Sequence, residues 1–257
     1  MKYINTVALS ENLKNQLRAM GLDDLISIVE DSIGCDGWDC LSFEDKLGLI
    51  INRLYEAKLN NSIRRLKRGA KLIIPNASIS GLVFDKERKL NQERIVELAT
   101  CDFIKHETNL ILEGPVGCGK TYLSNALANA ACSKTYRSYY IRFQDLLNEI
   151  DEAAESGPAK KKKLIRKLAN YTLLVIDEWL TVEISKQHQT QLLELFEMRS
   201  YKGSTIICTL HPIKEWRQLL LGDTIAESIM DRITANKEVI TFGDKNMRRW
   251  ENEHRTS

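Results

Sequence analysis

No stretch of this 257-residue chain approaches the roughly 18 consecutive apolar residues that a membrane span requires, which argues against a membrane protein. The opening residues, MKYINTVALSENLKNQ, hold one early lysine but no sustained apolar core, so they make a poor signal peptide. A charge excess is missing as well: 37 Lys+Arg stand against 35 Asp+Glu. Net charge therefore predicts no nucleic-acid partner, and only the distribution of charge can. None of the six cysteines (Cys35, Cys40, Cys101, Cys118, Cys132 and Cys208) belongs to a C-x-x-C pair or adjoins a patterned set of histidines. A zinc site is not expected. Cys118 lies inside a glycine-rich loop that a disulfide would obstruct, so the thiols read as reduced and the protein as cytoplasmic. There is no strand pattern before residue 71, no internal repeat, and no low-complexity segment beyond one lysine run.

What the chain does have is 43% hydrophobic residues, enough for a sizeable core in one or two domains. Apolar residues at helical spacing (Leu13, Leu17, Met20, then Leu25, Ile28, Val29) predict two short helices broken at Gly21. IGCDGWDC reads as a Gly/Asp loop. Ser42 followed by Asp45 opens a further helix with a capping-box-like start. It runs to about Lys67, with Leu47, Ile50, Ile51, Leu54, Tyr55 and Leu59 on one face. Residues 1–70 are thus expected to be an N-terminal all-α domain, 71–90 a Pro/Gly-punctuated connector, and 91–257 a second domain. In the second domain Asn91 caps a helix to about Ile104, after which strands and helices alternate. Strands are predicted at 109–113, 138–142, 172–177, 204–209 and 237–241. Helices are predicted at 120–133, 143–155, 160–169, 185–201, 212–220 and 223–234. That alternation implies an α/β fold with a five-stranded parallel sheet covered on both faces.

Residues 114–121, GPVGCGKT, satisfy G-x-x-x-x-G-K-[ST] in full, with the strand NLILE before and the helix YLSNALANAAC after. Glycines let backbone N–H groups converge on phosphate oxygens, and the helix directs its positive dipole end at the same anion. The candidate nucleotide-binding residues are Gly114, Pro115, Val116, Gly117, Cys118, Gly119, Lys120, Thr121 and Tyr122. Lys120 is expected to reach the β and γ phosphates of ATP, and the Thr121 hydroxyl to ligate Mg²⁺. The apolar strand LLVI ends in Asp177 and Glu178. Asp177 suits the Mg²⁺ site, and Glu178 is placed to act as general base on the attacking water. One strand, YRSYYIR, lies between the loop and the acid pair. That insertion marks P-loop NTPases with an additional catalytic glutamate (the ASCE class), AAA+ machines and RecA-like motors among them. Thr209 ends the next strand, where a hydroxyl can sense the γ phosphate, although threonine is common in strands. Arg232 has two readings: an arginine finger acting on a neighbouring subunit's nucleotide, or a surface residue paired with Asp231.

Two basic runs stand out. Residues 58–71, KLNNSIRRLKRGAK, hold six Lys/Arg and no acid, and 160–167, KKKKLIRK, hold six in eight. Such runs are usually solvated faces. As a nucleic-acid surface they would offer Arg64, Arg65, Lys67 and Arg68 on one side, and Lys160, Lys161, Lys162 and Lys163 on the other. Few aromatics are interleaved, so contacts to backbone phosphates with little sequence reading are expected.

Taken in order, LSFEDKLGLIINRLYEAKLNN, NLILEGPVGCGKTYLSNALANAAC, YTLLVIDEWL, GSTIICTLHPIKEW and DTIAESIMDRI resemble the IstB-like ATPases. These are the helper proteins of bacterial insertion sequences, related to the helicase loader DnaC. The resemblance covers nearly the whole chain. It implies an AAA+ core that assembles as a homo-oligomer on double-stranded DNA with ATP, and that positions a DDE transposase. It also places an arginine finger at Arg232. The chain departs from the family where two aspartates and Trp-Gly are usual, since here the strand ends Asp177-Glu178-Trp179-Leu180. No long C-terminal lid is expected, and Arg248 and Arg249 in the tail read as solvated or as contacts to nucleotide or DNA. The alternative within this resemblance is a DnaC-like replicative helicase loader. A small-molecule P-loop kinase is disfavoured, because no arginine-rich lid lies between the motifs.

Overall fold

The computed structural model describes residues 9–254. Residues 1–8 of the stretch tested for a signal peptide lie outside them. The chain divides into two compact units between Arg64 and Arg65.

The first unit contains α1 (Glu11–Ala19), α2 (Asp23–Ile33) and most of α3 (Phe43–Gly69). Ser10 caps α1 by accepting from the Leu13 N–H at 3.3 Å, and Gly21, at φ +68°, makes the break before α2. At the start of α3 the Asp45 N–H donates to Ser42 Oγ at 3.1 Å, while the Asp45 carboxylate takes the Ser42 hydroxyl rather than the backbone N–H of a full capping box. The apolar stripe expected on α3 is only half covered. Ile50, Leu54 and Leu59 are partly buried, whereas Leu47, Ile51 and Tyr55 are exposed.

The second unit runs α4 (Gln92–Leu98), α5 (Asp102–Lys105), β1 (Asn109–Glu113), α6 (Lys120–Ser133), β2 (Ser138–Arg142), α7 (Phe143–Glu155) and α8 (Pro158–Ala169). It continues with β3 (Leu173–Asp177), α9 (Lys186–Arg199), β4 (Ser204–Thr209), α10 (Ile213–Leu219), α11 (Thr224–Thr234), β5 (Lys237–Thr241) and α12 (Met247–His254). The single helix predicted from Asn91 to Ile104 is two helices, because Cys101 turns left-handed at φ +62° and drives Phe103 and Ile104 of α5 inward. Residues 71–90 are not a free connector: Leu72, Ala77 and Leu82 are buried in the core of this unit.

The sheet is five-stranded and parallel, in the order β2-β3-β4-β1-β5. In it β4 and β3 lie between β1, which leads into the glycine-rich loop, and β2. Side chains alternate between its faces. Ile111, Leu174, Ile176 and Ile207 join a core with α7 to α11, while Leu110, Leu112, Val175 and Ile206 join a second core with α4 to α6. Continuous apolar strands follow from this two-sided burial. The register pairs Glu113 with Thr209 and Arg142 with Asp177, so the strand ends that carry the predicted chemistry share one edge of the sheet.

One buried cation helps hold the opposite edge. Arg199, at the end of α9, donates to the Leu168 carbonyl (3.2 Å), the Tyr171 carbonyl (2.8 Å) and Thr205 Oγ1 (3.0 Å). It thereby ties the C-terminus of α8 to the start of β4. Truncation would strand several buried acceptors, so Arg199→Ala is expected to cost about 3 kcal/mol. The urea midpoint reports this, and an unchanged midpoint would refute it.

Candidate active site

The phosphate loop leaves β1 at Glu113 and enters α6 at Lys120. Gly117 and Gly119 stand at φ +81° and +100°, where a side chain would be strained. Space is short as well. A Cβ on Gly114 would meet Phe242 Cβ at 2.8 Å, and one on Gly117 would lie 2.7 Å from the Asn246 amide. Lys120 Nζ donates back to the loop carbonyls of Gly114 at 2.6 Å and Pro115 at 2.8 Å. Cys118 is buried under the loop and Val116 is exposed at its tip.

Across from the loop, Asp177 is buried at the end of β3. Its Oδ2 accepts from Thr121 Oγ1 at 2.7 Å and from the Tyr140 hydroxyl at 2.8 Å, and its Oδ1 accepts from the Glu178 N–H at 2.9 Å. Burial, and then the Asp177 charge, push the Tyr140 phenol far above its ordinary range, so it stays a donor. Glu178 is exposed beside this pair with φ +58°. Arg142, at the end of β2, is raised in pKa by the Tyr140 hydroxyl and then by the Glu178 charge. Trp179 turns fully inward against Phe143, Phe196 and Trp216, with ring centroids 4.7, 5.8 and 5.8 Å away. Leu180 keeps φ +58°, the left-handed conformation that a glycine would adopt without strain. The loop after the acid pair therefore retains its turn despite the leucine.

A hydroxyl and a carboxylate meeting beside a phosphate loop are the donor set that Mg²⁺ uses when substrate phosphates complete its shell. Among the described residues there is no group of three or more His, Cys, Asp or Glu that could hold a metal ion.

Next to Thr121 and Gly119 opens a cavity of about 360 Å³ lined by Ile73, Leu82, Val83, Tyr122, Met247 and Trp250 among others. Its apolar walls come from the 71–90 segment and from α12.

The IstB-like ATP binding protein family model matches residues 15–255. The chain belongs to this family. The IstB-like chain is 29% identical over 235 residues to y4pL of Sinorhizobium fredii, an insertion-sequence protein named for ATP binding, covering 91% of this chain and 95% of that one. It is 28% identical over 204 residues to the similarly named protein of insertion sequence IS1162 from Pseudomonas fluorescens (79% and 87% covered). In fold it is similar to the DnaC helicase loader, with TM-score 0.53 at 20% identity over 65% of this chain and 97% of that one.

The other predicted residues of the IstB-like protein are not all at the loop. Thr209 reaches the same sheet edge, but its hydroxyl closes the turn after β4, accepting from the His211 N–H at 3.0 Å and donating to the His211 carbonyl at 3.2 Å. Arg232 lies on the last turn of α11. Its partner is not Asp231: it donates to Glu197 Oε1 at 2.6 Å and to the Ser228 carbonyl at 2.9 Å. It lines a 490 Å³ cavity with Asn109, Gly203 and Thr205, at the starts of β1 and β4. That is the end of the sheet away from its own phosphate loop.

On α3, Arg64, Arg65 and Arg68 are exposed and Lys67 half-buried; on α8, Lys160, Lys162 and Lys163 are exposed and Lys161 half-buried. Lys162, Lys163, Arg166 and Lys167 line one groove along α8. Lys71 and Lys167, the last residues of the two basic runs, sit 5.4 and 5.7 Å from the Tyr139 ring, which stacks on Tyr171 at 4.7 Å. Arg137 lies 5.4 Å from the Tyr171 ring. Sequence reasoning missed Tyr140, Arg142, the apolar cavity and this aromatic junction. Only the strand patterns holding Tyr140 and Tyr139 carried any signal for them.

Proposed function

We propose that this protein is an ATPase that assembles on double-stranded DNA, with catalytic sites shared between copies, and delivers target DNA to the transposase of its insertion sequence. The observation that carries this reading is the separation of Arg232 from its own phosphate loop. A guanidinium at the far end of the sheet suits the nucleotide of a neighbouring copy, not its own.

In this mechanism the loop N–H groups and Lys120 hold the β and γ phosphates, Lys120 exchanging two carbonyls for phosphate oxygens. Thr121 and Asp177 would hold Mg²⁺, which would supply charge neutralisation to the phosphate chain. Tyr140 keeps Asp177 oriented. Glu178 takes the proton of a water that attacks the γ phosphorus, while the bond to the ADP oxygen breaks. Arg232 of the neighbour meets the charge that develops on the transferred group. Thr209 senses the γ phosphate if its hydroxyl leaves His211. The setting is cytoplasmic, and no helix of the described residues is long and apolar enough to cross a membrane.

The test is ATPase rate and particle size, measured together, with and without duplex DNA. Large particles and faster hydrolysis only with ATP and duplex support the proposal. Monomers under all conditions would refute it, and stimulation by single strands alone would favour helicase loading.

The basic faces of α3 and α8 serve the duplex backbone. Replacing Arg64, Arg65, Lys67 and Arg68 with alanine is expected to weaken duplex binding and to lower the salt slope by the release of up to about four counterions. Replacing Lys160, Lys161, Lys162 and Lys163 is expected to act likewise. A salt titration of affinity reads both, and unchanged slopes would return these runs to solvated surface.

A further inference from the structure

Under the phosphate loop lies an arginine that the nucleotide motif does not contain. Arg88 is 2% exposed. It ends a short 3-10 turn, Lys86–Arg88, which Asp85 caps by accepting from the Glu87 N–H at 2.9 Å. Its Nη2 donates to the Cys118 carbonyl at 3.0 Å and its Nη1 to the Val83 carbonyl at 2.5 Å, while its buried Nε has no partner. Its hydrogen-bond partners are neutral. Asp85 acts on it only through space and is itself bonded to Lys245. Burial without a bonded carboxylate lowers its pKa.

One bonded carbonyl belongs to the loop and the other to the cavity beside it. The Cys118–Gly119 peptide is planar and trans, so its carbonyl and its N–H point in opposite directions. A cation bonded to that carbonyl fixes the plane, sends the Gly119 N–H to the other side, and polarises it as a donor. The loop rests directly on the guanidinium: a Cβ on Gly119 would lie 2.7 Å from Arg88 Nη2. Val83 forms part of the wall of the adjoining apolar cavity. The far side is braced too, since the Gly243 N–H donates to the Arg88 carbonyl and the Met247 N–H to the Gly117 carbonyl, both at 2.8 Å.

We propose that Arg88 is a nucleotide-positioning residue: it locks the Cys118–Gly119 peptide so that the Gly119 N–H faces the phosphate chain, and that chain is the anion its buried charge lacks. The inference rests on the reading of the loop as the ATP site. It explains why an arginine occupies a pocket that an apolar side chain would fill at lower desolvation cost.

The test is competition binding of AMP, ADP and ATP to wild type, Arg88→Met and Arg88→Lys, with the melting temperature of each protein without nucleotide. Arg88→Met is expected to weaken ADP and ATP by about 10- to 100-fold, the worth of a charge-assisted hydrogen bond, and AMP far less. Arg88→Lys keeps the charge but replaces the fixed planar fork with a single rotatable ammonium, so it should fall between. Equal weakening of all three nucleotides, or wild-type affinities in Arg88→Met, would overturn the assignment. If Arg88→Met does not fold, the dependence on phosphate number is read from Arg88→Lys. A wild-type protein that binds no ATP would remove the site reading and this inference together.

Discussion

Arg232→Ala is expected to lower the ATPase kcat by about 10³-fold or more while leaving ATP affinity near wild type, the signature of an arginine finger. The split follows from position. Arg232 lines the cavity at the starts of β1 and β4, and its guanidinium is hydrogen-bonded to Glu197 and Ser228 of its own chain, so its removal leaves the phosphate loop of the same chain untouched. Arg232→Lys is expected to rescue little, because a point charge does not reproduce the planar fork. Mixing Arg232→Ala with Glu178→Gln chains is expected to restore part of the rate, since a neighbour pair then combines one intact acid site with one intact guanidinium. Single-turnover hydrolysis with separate nucleotide-binding titrations measures all of these. Full activity in Arg232→Ala would remove both the finger and the shared site.

Glu178→Gln is expected to cut kcat by about 10²- to 10⁴-fold with ATP binding and assembly preserved, because the amide matches the carboxylate in shape but accepts no proton. The choice of base between the two neighbouring acids rests on their surroundings. Both oxygens of Asp177 are occupied, by Thr121 and Tyr140 on one and the Glu178 N–H on the other. Glu178 is exposed, with its backbone in the left-handed region at φ +58°. Asp177→Asn is therefore expected to weaken Mg²⁺-dependent binding rather than to spare it. A Glu178→Gln protein with the wild-type rate would transfer the base role elsewhere.

The phosphate loop, the acid pair and all five strands could be read from the chain because each is encoded locally. Glycines at 117 and 119 set the backbone turn within a few residues, and apolar runs such as LLVI are what two-sided burial demands. Where reading failed, distant contacts had overridden local pattern. The Asn91 helix breaks at Cys101 because Phe103 and Ile104 are drawn into the core. The 71–90 stretch reads as a connector because Pro75 and Gly81 punctuate it, yet it forms one wall of the cavity beside Thr121.

The sequence by itself determined the α/β class, the order of the five strands along the chain, the nucleotide motif and the acid pair at the end of β3, since glycine positions and residue alternation act over a few bonds. Tertiary structure alone decided the rest. Parallel pairing in register brings Thr121, from the loop, to Asp177 and Tyr140 from two other strands. Packing of a distant turn puts Arg88 beneath the loop, and the path of α11 carries Arg232 to the opposite end of the sheet. These placements depend on which surfaces bury one another, and no local periodicity encodes that.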